Sequence, residues 1–318
     1  MSVPSQFNII KHMNYNSKIF VAGHKGLLGS ALVRQLTAQG YTNITTATRA
    51  ELDLADQTAV DTWFAQHRPE YVFLAAAQVF GIAANVSGEV ILNNLRVEVN
   101  VIDAARRNGC VKLLFPGSNC VYPKFPRLPI TEDQLLTSAL EPTSESYAAA
   151  KIAGIMMCRH FRKQWGFNAI TVMPCNLYGP NDKYDLEHAH VMASMINKFV
   201  TAQQQNLPSV TLWGDGSALR EFLYADDVAD AVILCMKEYN DAELINLSSA
   251  EEVSVKTLAN MIKNTVGYTG EIVWDTTKPT GTPAKGLDNS KITRLGWRSQ
   301  YPLSRGIPLA VEWFQNSK

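Results

Sequence analysis

Lys18-Ile-Phe-Val-Ala-Gly-His-Lys-Gly-Leu-Leu-Gly29 decides the fold. Lys18 to Gly23 reads as a short buried strand. It runs without a linker into Gly-x-x-Gly-x-x-Gly (Gly23, Gly26, Gly29) and then into a helical pattern at Leu27, Leu28, Ala31, Leu32 and Leu36. Glycines there let the backbone turn tightly and approach a pyrophosphate, whose charge a helix N-terminus favours. Gly23, Lys25, Gly26, Leu27, Leu28 and Gly29 are therefore candidate cofactor contacts. The spacing is not the commoner Gly-x-Gly-x-x-Gly, and a plain strand-turn-helix with glycine for packing would look the same. Its place at the head of a strand-helix series favours the dinucleotide.

Outward from this stretch, the alternation continues. A strand at Asn43 to Thr48 is followed by a helix at Asp56 to His67 and a strand at Tyr71 to Ala77. Then come a helix at Glu89 to Asn108, a strand at Lys112 to Phe115, a helix from Tyr147 to Trp165 and a strand at Ala169 to Met173. Strands alternating with helices of these lengths predict an α/β doubly wound parallel sheet, a Rossmann domain. The second strand ends in Thr48-Arg49, where NAD-preferring chains carry an acid for the ribose hydroxyls. Arg49, with Lys25, suits a 2′-phosphate instead and predicts NADPH; Asp53 and Leu54 would flank the adenine. Ala75, Ala76 and Ala77 are small enough to let the cofactor lie close at a strand end, and Gln78-Val-Phe-Gly81 forms a loop at the sheet's carboxyl edge.

After Pro174-Cys-Asn-Leu-Tyr-Gly-Pro180, read as a rigid loop, the rhythm breaks. Shorter elements follow at Val210 to Trp213, Leu244 to Leu247, Ser254 (a cap) to Val266, and Glu271 to Trp274. These predict a smaller, partly discontinuous C-terminal α/β domain for substrate over 181–318. The first domain would span 18–180, with a segment near 217–247, including a helix at Asp226 to Tyr239, returning to it. Residues 1–17 are polar and read as a flexible leader.

The chemistry lies between Leu113 and Trp165. A strand ends in Gly117-Ser118-Asn119-Cys120, and the later helix carries Tyr147-Ala-Ala-Ala-Lys151. Tyr and Lys four apart share a helix face. An ammonium beside a phenol is expected to lower the phenol pKa. Ser118 would hydrogen-bond a substrate carbonyl while Tyr147 gives or takes its proton, the apparatus for interconverting ketone and alcohol.

Composition narrows the alternatives. Twenty-nine basic residues balance twenty-nine acidic ones, which gives no support for nucleic acid or an anionic membrane as the main partner. No apolar run reaches the roughly 20 residues that span a bilayer. Cys110, Cys120, Cys158, Cys175 and Cys235 are scattered and lack metal-ligand spacing, which predicts free thiols in a reducing cytoplasm and no metal.

Taken together, the glycine motif, Ser118 and Tyr147-x-x-x-Lys151 resemble an extended short-chain dehydrogenase/reductase over the whole chain from Lys18 onward. Pro174 to Pro180 and Arg220-Glu-Phe-Leu-Tyr-Ala-Asp-Asp227 resemble its nucleotide-sugar branch. Asn119-Cys120-Val-Tyr-Pro stands where 4,6-dehydratases carry Asp-Glu, and so resembles the Ser-x-Cys-x-x-Pro pattern of the GDP-L-fucose synthase family. Leu74-Ala-Ala-Ala77, Glu141-Pro-Thr, His190-Val191, Trp213-Gly-x-Gly216 and Lys278-Pro-x-Gly-Thr-Pro283 also match that family.

That resemblance implies NADPH and a GDP-4-keto-6-deoxy sugar as ligands. Cys120 and His190 would be the base and acid of C3/C5 epimerisation, with His188 equally placed for the acid. Tyr147, Lys151 and Ser118 would serve reduction at C4. Pro174, Asn176, Leu177 and His190 would line the cofactor. Asn119, Asn176, Val191, Lys198, Trp213, Arg220 and Lys285 would hold the GDP-sugar. A homodimer through a four-helix interface is also implied. The chain departs from the family at Phe80, Asn119 and Asn181-Asp-Lys-Tyr184, all where the hexose is expected. Those departures leave open a related GDP-4-keto-sugar reductase, of the colitose or 6-deoxy-heptose type, with one inversion or none.

Overall fold

The computed structural model describes residues 12–79, 87–186, 189–278, 280 and 282–317. The strand β1 (Ile19–Ala22) is wholly buried and leads into α1 (Leu27–Ala38), as the opening stretch predicts. There follow β2 (Ile44–Thr45), α2 (Gln57–His67), β3 (Tyr71–Leu74), α3 (Gly88–Arg107), β4 (Lys112–Pro116), α4 (Glu145–Trp165) and β5 (Ala169–Pro174). A glycine opens α1, and side chains cap α2 and α3. Asp56 accepts from the Ala59 N–H at the head of α2, and Ser87 does the same for Val90 at the head of α3.

The strands form one six-stranded parallel sheet in the order β2-β1-β3-β4-β5-β9, where β9 is Ile245–Leu247. The chain moves outward from β1 in one direction to β2 and in the other to β3. Right-handed crossovers moving in opposite directions put helices on opposite faces and open a crevice at the carboxyl ends of β1 and β3. On one face α1 packs against α6 (Ala225–Glu238), and on the other α3 lies between α2 and α4.

The rest of the chain builds a second core. It comprises β6 (Asn176–Tyr178), α5 (Val191–Gln204), β7 (Ser209–Trp213), β8 (Leu219–Tyr224), β10 (Glu252–Ser254), α7 (Val255–Val266) and β11 (Glu271–Asp275). After these come α8 (Ser290–Arg294) and α9 (Leu303–Asn316). Here β10-β8-β6 and β11-β7 form two small sheets. Met192, Ile196, Phe199, Leu258, Ile262 and Phe314 are among the buried residues joining α5, α7 and α9.

Several expectations are corrected. The second strand pairs only through Ile44 and Thr45, because an edge strand has one neighbour to hold it. Asn176–Tyr178, read as a loop, pairs in parallel with Phe222–Tyr224. The segment near 217–247 divides: β9 joins the large sheet and α6 packs against it, whereas β8 joins β6 and β10. The leader is not loose throughout. Met13 and Ser17 are buried, and the Thr42 N–H donates to the Tyr15 carbonyl at 2.9 Å. None of the described helices is long and apolar enough to cross a membrane.

Candidate active site

At the head of α1 the three glycines have different reasons. Gly23 has φ +87°, and a Cβ there would lie 2.6 Å from the Ala76 nitrogen, so this glycine lets β1 close on the end of β3. A Cβ on Gly29 would lie 2.1 Å from the Gly23 carbonyl oxygen, inside backbone that cannot give way. Gly26 has no such neighbour, its nearest atom being 3.5 Å away, and it opens α1 without a side-chain cap. The first N–H groups of α1 thus remain available to an anion, a cradle that fits a dinucleotide pyrophosphate. Gly29→Ala is expected to destabilise the fold by about 1–3 kcal/mol through overpacking. Thermal unfolding measures this, and an unchanged midpoint would contradict the backbone contact.

Beside the cradle, Lys25 and Arg49 are both exposed, and the Arg49 Nε lies 3.5 Å from the Asp53 carboxylate. An ion pair so exposed contributes roughly 0–1 kcal/mol and costs little to open for a phosphate. Leu54 is fixed from below, its carbonyl accepting from Asn100 Nδ2 at 3.0 Å. Ala75 and Ala76 border Gly23, and Pro174 is buried at the end of β5. Leu27 and Leu177 are half-buried, while Leu28 is in the core.

The β4 strand delivers Ser118 in extended backbone, its Oγ accepting from the Cys120 N–H at 3.2 Å across a single turn of 3-10 helix. Cys120 is half-buried, whereas the other four cysteines are buried and free. Its Sγ lies 3.8 Å from Asn119 Oδ1. Cys120 is close enough to Tyr147 and to Arg220 for its charge to act on both. Asn119 is buried, with no partner for Nδ2.

The Tyr147–Lys151 pair is present on α4, but its electrostatics differ from expectation. Burial pushes the Tyr147 phenol well up, and the charges of Cys120 and Glu98 add to that rise. Lys151 Nζ is 5.8 Å from the Tyr147 ring centre and 4.4 Å from that of Phe115. Its ion-pair partner is Glu98 of α3, 3.3 Å away, and both side chains are almost wholly buried. The sequence reading missed Glu98, a carboxylate on the buried face of α3 among Val90, Asn94, Val101 and Ala105.

His190 precedes α5 and is half-buried; burial, with Lys183 adding to it, holds the imidazole below its usual range. Lys183 Nζ donates to the Val79 carbonyl at 3.0 Å, joining the 181–184 loop to the loop after β3. That second loop is held by Asn94, which accepts from the Gln78 N–H and donates to its carbonyl, both at 2.7 Å. In the neighbouring Asp182, burial pushes the carboxyl up to about 7. The expectations resting on Phe80, Gly81 and His188 lie outside the described residues.

The groups expected around GDP lie on the second core. Val191 is exposed at the start of α5, and Trp213 is 49% exposed at the end of β7, with Lys278 Nζ 5.7 Å from its ring centre. Lys198 is held on the same core, its Nζ donating to the Thr211 carbonyl at 2.9 Å. Arg220, on β8, lies within electrostatic reach of Glu252 and Cys120. Asn176 turns toward protein, donating to the Glu221 carbonyl at 2.9 Å. Lys285 is half-buried and is anchored through its neighbours: the Gly286 carbonyl accepts from Ile130, and the Leu287 N–H donates to Glu221. No cluster able to hold a metal occurs among the described residues.

Residues 19–248 match the NAD dependent epimerase/dehydratase family. A rice protein (Oryza sativa subsp. japonica) described as probable GDP-L-fucose synthase 1 is 50% identical over 93% of this chain and 92% of its own. GDP-L-fucose synthase of Escherichia coli K12 is 42% identical over 93% and 96%. The structure of a GDP-mannoheptose C4 reductase from Campylobacter jejuni with NADP bound superposes with TM-score 0.87 at 37% identity, over 95% of this chain and 99% of that one. Matched by the family over most of its length and similar to these relatives along nearly the whole chain, this chain belongs to the NAD dependent epimerase/dehydratase family.

Proposed function

We propose that this chain is an NADPH-dependent epimerase/reductase that converts GDP-4-keto-6-deoxy-D-mannose to GDP-L-fucose. The observation that supports this reading is that Cys120 lies within electrostatic reach of both Tyr147 and Arg220. Relatives with 42% and 50% identity described as GDP-L-fucose synthases support the choice of sugar. The 4-keto group acidifies the hydrogens at C3 and C5. Cys120 acts as the base that removes them, and His190 as the acid that returns a proton to the enolate from the opposite face. Tyr147 protonates O4 during reduction, with Ser118 hydrogen-bonding that oxygen and Lys151 supporting the phenol.

The cofactor would be held by the glycine loop, with Lys25 and Arg49 at its 2′-phosphate, and would supply the hydride for C4. Arg220 and Lys285 face the diphosphate and Trp213 offers a flat face to the base, whereas Lys198 shapes the strand beneath it. Loss of absorbance at 340 nm with GDP-4-keto-6-deoxy-D-mannose and NADPH tests the assignment; no turnover with NADPH, or turnover only with NADH, would contradict it.

The role of His190 has a pH consequence. An acid must be protonated, and that form is lost as pH rises through the imidazole pKa. Lys183 helps hold that pKa down. Lys183→Met is therefore expected to move the alkaline limb of C3/C5 deuterium exchange to higher pH. An unmoved limb would separate Lys183 from His190.

We also infer a cytoplasmic homodimer through α3 and α4. Leu92 and Val99, seven apart on α3, are 47% and 45% exposed, and Trp165 ends α4 47% exposed with Arg106 over its ring. Sedimentation that finds only monomer at micromolar concentration would refute the interface, and cell fractionation tests the compartment.

A further inference from the structure

We propose that Glu98 is a positioning residue for the reductive half of the reaction: its carboxylate, carried on α3, fixes the Lys151 ammonium behind Tyr147 and sets the charge that the phenol faces. The inference rests on the assignment of Tyr147 and Lys151 to ketone reduction, and goes beyond it to a residue on another helix.

Three observations meet at Glu98. It is 1% exposed, with its carboxylate 3.3 Å from Lys151 Nζ, itself 2% exposed. A Cβ at Gly154 would lie 2.9 Å from Glu98 Oε2 and 2.5 Å from Phe115 Cζ, so α4 gives up a side chain mid-helix where the carboxylate enters. Neither Glu98 oxygen has a hydrogen-bond partner of good geometry, so the ammonium is its main compensation. A buried ion pair is rarely kept for stability, since apolar residues of similar size often pack as well. This pair sits directly behind the proposed proton donor, where its charge has a chemical use.

Glu98 faces the ammonium from α3, Tyr147 and Cys158 face it from α4, Phe115 covers it from β4, and Cys120 approaches Tyr147 from the turn after β4. Thr171 of β5 hydrogen-bonds Cys158. The negative charge of Glu98 opposes phenolate formation and so keeps Tyr147 in the form that can donate a proton. Without it, the ammonium would favour the phenolate and would lose its anchor.

Glu98→Gln keeps the shape and removes the charge. With GDP-4-keto-6-deoxy-D-mannose and NADPH, reduction is expected to fall about tenfold or more, with its alkaline limb moved to lower pH. Deuterium exchange at C3 and C5, which uses Cys120 and His190, should stay within about twofold of the parent. Glu98→Asp keeps the charge at shorter reach, and should reduce at an intermediate rate with the parental limb. Reduction and exchange falling in step in both variants, or a limb unmoved in Glu98→Gln, would overturn the proposal. Should Glu98→Gln not fold, Glu98→Asp decides: slowed reduction with intact exchange supports the proposal, and equal loss of both overturns it. A parent enzyme that neither reduces nor exchanges would instead overturn the underlying functional reading.

Discussion

Replacing Tyr147 with Phe is expected to abolish ketone reduction while leaving deuterium exchange at C3 and C5. The ring stays in place in a site where the side chain is only 7% exposed, so no cavity forms and the fold should persist. What disappears is the proton for the alkoxide that develops at O4. A positioned general acid contributes about 10²–10⁴-fold, or roughly 3–5 kcal/mol of barrier. Burial and the charges of Cys120 and Glu98 push this phenol up, so the donor form is the stable one at neutral pH. Single-turnover oxidation of NADPH measures the loss. A variant within tenfold of the parent would place the proton donor elsewhere.

The complementary result is expected for Cys120→Ala. Exchange at C3 and C5 should fall by about 10²–10⁴-fold, because the base that forms the enolate is gone. Reduction of the ketone remains chemically open and would yield the product with its original C3 and C5 configurations. Cys120 is also the one cysteine that is not buried, so iodoacetamide should modify it first and reproduce the variant. Exchange that survives both treatments would remove the thiol from the mechanism. The two variants thus separate the two halves of the proposed reaction, and a shared structural defect would not.

The strand-helix alternation through Met173 was legible because each element carries its own period and the glycines mark the first crossover. Local pattern failed where neighbours decide the structure. Asn176-Leu-Tyr178 is framed by prolines and a glycine, yet becomes a strand because Phe222–Tyr224 offers it a ladder. The helix α9 carries both Gly306 and Pro308, and its amphipathic face is recognised only by the second core that it covers. The site followed the same rule. Ser118, Cys120, Tyr147 and Lys151 sit within a span of 34 residues and could be read as a constellation. Lys183 meets Val79 across 104 positions of sequence, and Glu98 meets Lys151 between two helices, so neither contact has a local signature.

The measurement that bears most directly on the proposed reaction is NMR of the product formed from GDP-4-keto-6-deoxy-D-mannose and NADPH in heavy water. The account predicts GDP-L-fucose, with deuterium at both C3 and C5 and protium from the cofactor at C4. A C4-reduced sugar with protium retained at C3 and C5 would contradict it and make the chain a reductase alone.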